Sequence, residues 1–251
     1  MANQEHLTIL KQGAAAWNIY RSSHSTLRAD LASTNFSGID LSGANLAGAH
    51  LLDVNFTKAN LSEAQFDGAN LTEANLTEAN LTGASLKQAN LQEADLLKAN
   101  LSYTDLRHAT LIKADLTDAS LLGATLLGAN LHWANLQHSN LVQADLQDTK
   151  LREANLEEAN LTDANLQGAD LAQSSLHKAN LMGAKLQNTS FLQANLEEAN
   201  LQTSQNLTVL QLSKAKTLSK IQLDSVLQDK LTRDFPGSLP EISDRHEDVL
   251  G

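Results

Sequence analysis

Every fifth residue from Leu31 to Leu201 is Leu or Phe, 35 positions without a break, and only Phe36, Phe56, Phe66 and Phe191 are Phe. Two residues before each, Ala fills 27 of the 35 positions, and immediately before each, Asn or Asp fills 25. The unit reads Ala-(Asn/Asp)-Leu-x-x, as in Ala74-Asn75-Leu76-Thr77-Glu78. A period of five fits neither the 3.6 of a helix nor the 2 of a straight strand, so neither element runs through this stretch. It fits a short extended segment followed by a corner. Side chains alternate along an extended segment, which turns the Ala and the Leu inward and the Asn or Asp outward. All nine Gly of the stretch, among them Gly38, Gly43 and Gly128, stand at the fifth place. That predicts a type II corner with its positive φ there. Other fifth-place residues, such as Glu78, are expected to take a type I-like corner. Right-angled corners close a coil of 20 residues from four units, with coils stacked about 4.8 Å apart. The 35 units then make 8.75 coils, a stack about 42 Å long.

These repeats resemble the pentapeptide-repeat family of the bacterial, cyanobacterial type, with a match covering residues 29–203. The resemblance implies an all-β solenoid, a right-handed quadrilateral β-helix. Open solenoid edges recruit further strands, so both flanks are expected to cover them. His6 to Tyr20 places Leu7, Leu10, Ala14 and Trp17 at helical spacing, and Trp17-Asn18-Ile19-Tyr20-Arg21 resembles the openers of bacterial members. At the other end Leu207 falls out of register, and Asp224 is placed to N-cap a helix carrying Leu227 and Leu231 that ends near Pro236. The expected organisation is an N-terminal helical cap (1–28), the β-helix (29–203), a C-terminal cap with a short helix (204–236) and a mobile acidic tail (237–251).

Net charge is −11, from 18 Lys and Arg against 29 Asp and Glu. An acidic chain offers no clustered cations for phosphates or anionic lipids, so neither direct nucleic-acid binding nor a membrane is expected. There is no Cys and no apolar run long enough to span a bilayer, and Met1 to Glu5 opens no signal peptide, so the expected location is the cytoplasm. No catalytic, cofactor or metal site emerges. His108, His132 and His138 fall on separate columns of a 20-residue coil, and Ser85, Ser120 and Ser175 merely replace Asn with no activating loop.

Some members of the family inhibit DNA gyrase by imitating duplex DNA, which gives one functional alternative. Residues 29–203 carry 21 acids and 9 bases, roughly one net charge per 3.5 Å against one per about 1.7 Å in B-DNA. Along Lys58, Glu78, Lys98, Asp118, His138, Glu158, Lys178 and Glu198 the signs alternate. The favoured expectation is a non-enzymatic scaffold that binds an unidentified protein or a second copy of itself. Its candidate contact patch is the apolar group Leu97, Tyr103, Ile112, Leu122, Leu127, Trp133 and Val142, which interrupts the polar outward places.

Overall fold

The computed structural model describes residues 2–24 and 26–236; the expected tail, 237–251, lies outside the described residues. Parallel bridges join residues 20 apart, as in Asn55 to Asn75, Asn75 to Asp95 and Asp95 to Asp115. Each pentapeptide forms one side of a four-sided rung. The Leu76 N–H donates to the Asp95 carbonyl (2.7 Å), the Asp95 N–H donates back to Ala74 (2.9 Å), and the Glu78 N–H donates to Leu97 (2.9 Å). All 35 third-place Leu and Phe are at most 3% exposed, and Leu76, Leu96 and Leu116 are wholly buried. The second-place Asn and Asp turn back on the chain. Asn75 Oδ1 accepts from the Thr77 N–H (3.0 Å) and Asp95 Oδ1 from the Leu97 N–H (3.0 Å). Some also bond from rung to rung, as when Asn80 Nδ2 donates to Asn60 Oδ1 (3.2 Å). Residues of this type therefore serve the turns they stand beside.

The corners correct one expectation. All 35 fifth places have positive φ, from 51° at Ser33 to 72° at Gly183, and Glu78, at 56°, is no type I-like corner. Closure by the Ala79 N–H on the Leu76 carbonyl (2.9 Å) with positive φ at the third turn residue is the type II pattern. A left-handed conformation costs a non-glycine residue about 1–2 kcal/mol. It persists because the fifth-place N–H meets a carbonyl of the next rung in every unit but those of Asn188 and Thr203, and only superposed corners allow that. Glycine is used where space is short as well. A Cβ on Gly123 would stand 2.8 Å from the Tyr103 ring of the rung before.

The N-terminal flank forms two helices rather than one, α1 (Gln4–Leu10) and α2 (Ala14–Ser23), separated at Gly13 with φ 100°. They satisfy two sides of the first rung with groups that imitate a preceding rung. The Asn3 N–H donates to the Asp30 carbonyl (2.9 Å), and the Asp30 N–H donates to His6 Nδ1 (3.2 Å). On another side Trp17 Nε1 donates to the Asn45 carbonyl (2.7 Å) and the Asn45 N–H donates to Asn18 Oδ1 (2.8 Å). Asn18 Nδ2 donates to Gly43 (2.9 Å), while the buried Arg21 guanidinium donates to the carbonyls of Leu27 and Ala47.

At the C-terminal flank the repeat lapses and resumes. Helix α3 (Val209–Leu212) replaces one side and sends Leu212 into the core. Bridges then continue at a spacing of 22, Asn195 to Thr217 and Asn200 to Gln222, with Leu218 and Leu223 buried and Lys220 in the corner conformation. Two more pentapeptide units thus follow a two-residue insertion. Helix α4 (Ser225–Asp234) comes next, and Leu231 is buried beneath it. Asp224 stands at its N-cap position but makes no cap bond. Its carboxylate accepts instead from the Thr203 N–H (3.0 Å) at the solenoid edge.

Candidate interaction surface

With the interior filled by Leu and Ala, chemistry is left to the four corner columns. The 20-residue period assigns each outward residue to one of them. The seven apolar candidates do not form a single patch. Tyr103, Leu122 and Val142 share one corner, and Ile112 and Trp133 share the diagonally opposite one. Leu97 and Leu127 stand alone on the remaining two. Leu97, Ile112, Leu122, Leu127 and Val142 are half-buried, whereas Tyr103 is 64% and Trp133 48% exposed.

At the Tyr103 corner the phenol ring lies over Gly123, next to Leu122 and one rung from Val142. The outward places of this column between residues 62 and 183 carry only Glu63 and Asp163 as charges. The result is a narrow apolar ridge with little charge. Trp133 sits in a more polar setting. Its ring rests on His132 with centroids 3.7 Å apart, and its Nε1 donates to Glu153 Oε2 (3.0 Å).

The alternating column forms ion pairs at Lys58–Glu78 (3.6 Å) and Lys178–Glu158 (3.7 Å), and His138 Nδ1 stands 3.4 Å from Glu158 Oε2. These are exposed pairs, worth about 0–1 kcal/mol each. A tighter group lies at the fourth corner, where Lys87 stands 3.7 Å from Asp67 and 3.6 Å from Asp105, and Arg107 bonds Asp105 at 2.7 Å. Burial works against the ionised Asp105, but the Arg107 fork and Lys87 outweigh it and hold its pKa below the usual carboxylate value. The three histidines serve three corners: His108 covers Gly128, His132 meets the Arg152 carbonyl (2.8 Å), and His138 faces Glu158. Among the described residues no three His, Asp or Glu are grouped to hold a metal ion, and no helix is long and apolar enough to cross a membrane.

Met182, exposed as well, continues the line of Tyr103, Leu122 and Val142 as the 20-residue columns of the sequence place it, but sequence reasoning missed the exposed apolar residues Leu192, Leu210 and Val226 towards the C-terminal end. Met182 and Leu192 carry the same signal as Leu97, Ile112, Leu122, Leu127 and Val142, an apolar residue at the fourth place. Leu210 and Val226 lie where the five-residue phase is lost, and nothing in the pattern marks them.

The family model described as Pentapeptide repeats matches in 8 copies, over residues 28–62, 59–97, 74–111, 99–137, 129–168, 139–177 and 164–202. The chain belongs to the pentapeptide-repeat family. Membership implies a right-handed quadrilateral β-helix, in keeping with the four-sided rungs. HetL, a pentapeptide-repeat protein involved in heterocyst differentiation regulation from the cyanobacterium Nostoc sp. strain PCC 7120, is 31% identical. That match covers 74% of this chain and 92% of HetL, with a TM-score of 0.41. Trypsin-treated QnrB1, a plasmid-mediated fluoroquinolone resistance protein, is 15% identical over 82% of this pentapeptide-repeat chain and 94% of its own, with a TM-score of 0.60. The likeness to QnrB1 shows a common fold. No curated protein matches this sequence.

Proposed function

We propose that this pentapeptide-repeat protein is a non-enzymatic scaffold of nearly nine coils, closed by helical segments at both ends, that binds a partner protein through the Tyr103 corner. The observation that carries this reading is the ridge of Tyr103, Leu122 and Val142, an exposed aromatic flanked by aliphatics on consecutive rungs of a rigid column. Such an anchor with few charges around it is typical of the centre of a protein interface. The Trp133 corner faces the opposite way, and its indole N–H is already engaged by Glu153.

Capture from the native host tests this. The wild-type chain should retain a partner that the double variant Tyr103→Ser, Leu122→Ser loses, while Trp133→Ser keeps it. Equal capture by all three chains would sink the assignment. Undisturbed supercoiling by DNA gyrase in the presence of the chain separates the scaffold from a duplex mimic, which the alternating Lys58 to Glu198 column also disfavours.

A further inference from the structure

Between Leu31 and Leu201 every third-place N–H donates to the following rung, with Phe191 as the one exception among the described residues. The gap arises where α3 takes the chain off the solenoid. Gln211 Nε2 reaches in and satisfies the carbonyls of Leu186 (2.7 Å) and Thr189 (2.9 Å), but it leaves the Phe191 amide without an acceptor. Phe191, itself only 1% exposed, lines a notch of about 200 Å³ together with Leu192, Leu210 and Lys214. Leu192 is 47% and Leu210 60% exposed. Lys214 is exposed and makes no ion pair among the described residues. The first rung also leaves the Asn35 and Asp40 amides open, but beside Thr34 and Ser37 rather than exposed leucines.

We propose that this notch is a second contact site, which takes an extended segment of a partner protein carrying an aliphatic side chain flanked by carboxylates. The segment's backbone carbonyl accepts from the Phe191 N–H as the missing rung would, the mode of strand addition to a sheet edge. The aliphatic side chain settles between Leu192 and Leu210. Lys214 selects the carboxylate, and its surroundings favour that sign, since residues 204–236 carry five bases against three acids while the solenoid body is strongly acidic. The site does not involve the Tyr103 ridge and stands or falls without it.

The probe is a fluorescein-labelled peptide, Asp-Thr-Val-Leu-Val-Thr-Asp, with a Lys-for-Asp counterpart, titrated against the full chain by anisotropy. The acidic peptide should bind at least about tenfold tighter than the basic one. Leu210→Asp, an exposed position, should abolish binding, and Lys214→Glu should reverse the preference. Exchange of the Phe191 amide, followed by NMR, should slow only when the acidic peptide is added, and Tyr103→Ser should leave all of this unchanged. Equal binding of the two peptides, or none up to about 1 mM, overturns the proposal. So does a Phe191 amide already protected in the dilute free chain, which would make the chain's own segment the occupant. Protection that appears only as the mass doubles with concentration would assign the notch to a second copy and overturn it equally.

Discussion

The two ends of the solenoid solve the same problem by different means. At the N-terminal end, side chains of a helical pair act as the missing rung. His6, Trp17, Asn18 and Arg21 meet backbone groups of residues that lie 6 to 28 positions further along the chain. At the C-terminal end the repeat itself resumes after a two-residue insertion, and backbone meets backbone at Thr217 and Gln222. The difference teaches that helix side chains can be shaped to an edge group by group, whereas a resumed repeat covers only the sides it reaches. The side it bypasses leaves Phe191 open.

Removing the central side chain at each end sharpens this contrast most. Trp17→Ala deletes a fully buried indole and the donor to Asn45, and should cost about 3–5 kcal/mol, read as a lowered urea midpoint. Leu212→Ala, at the other end, should cost about 2–5 kcal/mol, and the smaller loss of the two is expected there because no edge hydrogen bond goes with it. Next come the polar plugs. Arg21→Met strips charged donors from the Leu27 and Ala47 carbonyls and should cost about 1.5–3 kcal/mol. Gln211→Leu removes two neutral bonds to the edge carbonyls, together with the weaker exposed capping bonds from the Thr208 N–H and hydroxyl to its Oε1 (both 2.9 Å), and should cost about 1–2 kcal/mol. A reversed order in chemical denaturation would break the claim that the N-terminal end depends more on side chains.

Corner substitutions probe both ends more gently. Ser33, with φ 51°, should gain about 0.5–1 kcal/mol on Ser33→Gly, as relief of left-handed strain exceeds the added freedom of the unfolded chain. Lys220, with φ 53°, should gain less on Lys220→Gly because its 2.9 Å pair with Glu198 is lost. The smallest effect is that of acid. The Lys220 hydrogen bond holds Glu198 below the usual carboxylate pKa. Partial burial opposes ionisation of Asp30, but the Ala32 N–H and His50 prevail and lower its pKa too. A depressed folded-state pKa gives stability that is complete above the ordinary value near 4 and is lost as pH falls through the folded value. Thermal midpoints should therefore drop as the pH falls below about 4, and Glu198→Gln should flatten that fall.

Much of this was legible in the sequence. The phase of Leu76, Leu96 and Leu116 gave the core column, and the 20-residue spacing gave the neighbours that form the Lys58–Glu78 pair. Leu218 and Leu223 also stand five apart, but a two-residue shift hides them from a reading kept in one phase. The seven apolar candidates look clustered along the chain because residues 97–142 are close in number. A stretch of more than two rungs necessarily visits every corner, so closeness in sequence does not become closeness on the surface.

The chain by itself determined which side chains face inward and how many residues make a rung, because inward-facing periodicity is a local property of an extended backbone. Only the tertiary structure decided the conformation of the corners, how far each outward apolar residue is exposed and the absence of an acceptor for the Phe191 amide. Those follow from each rung having to lie on its neighbour, a condition that overrides the preference of a residue such as Glu78 and that no single pentapeptide contains.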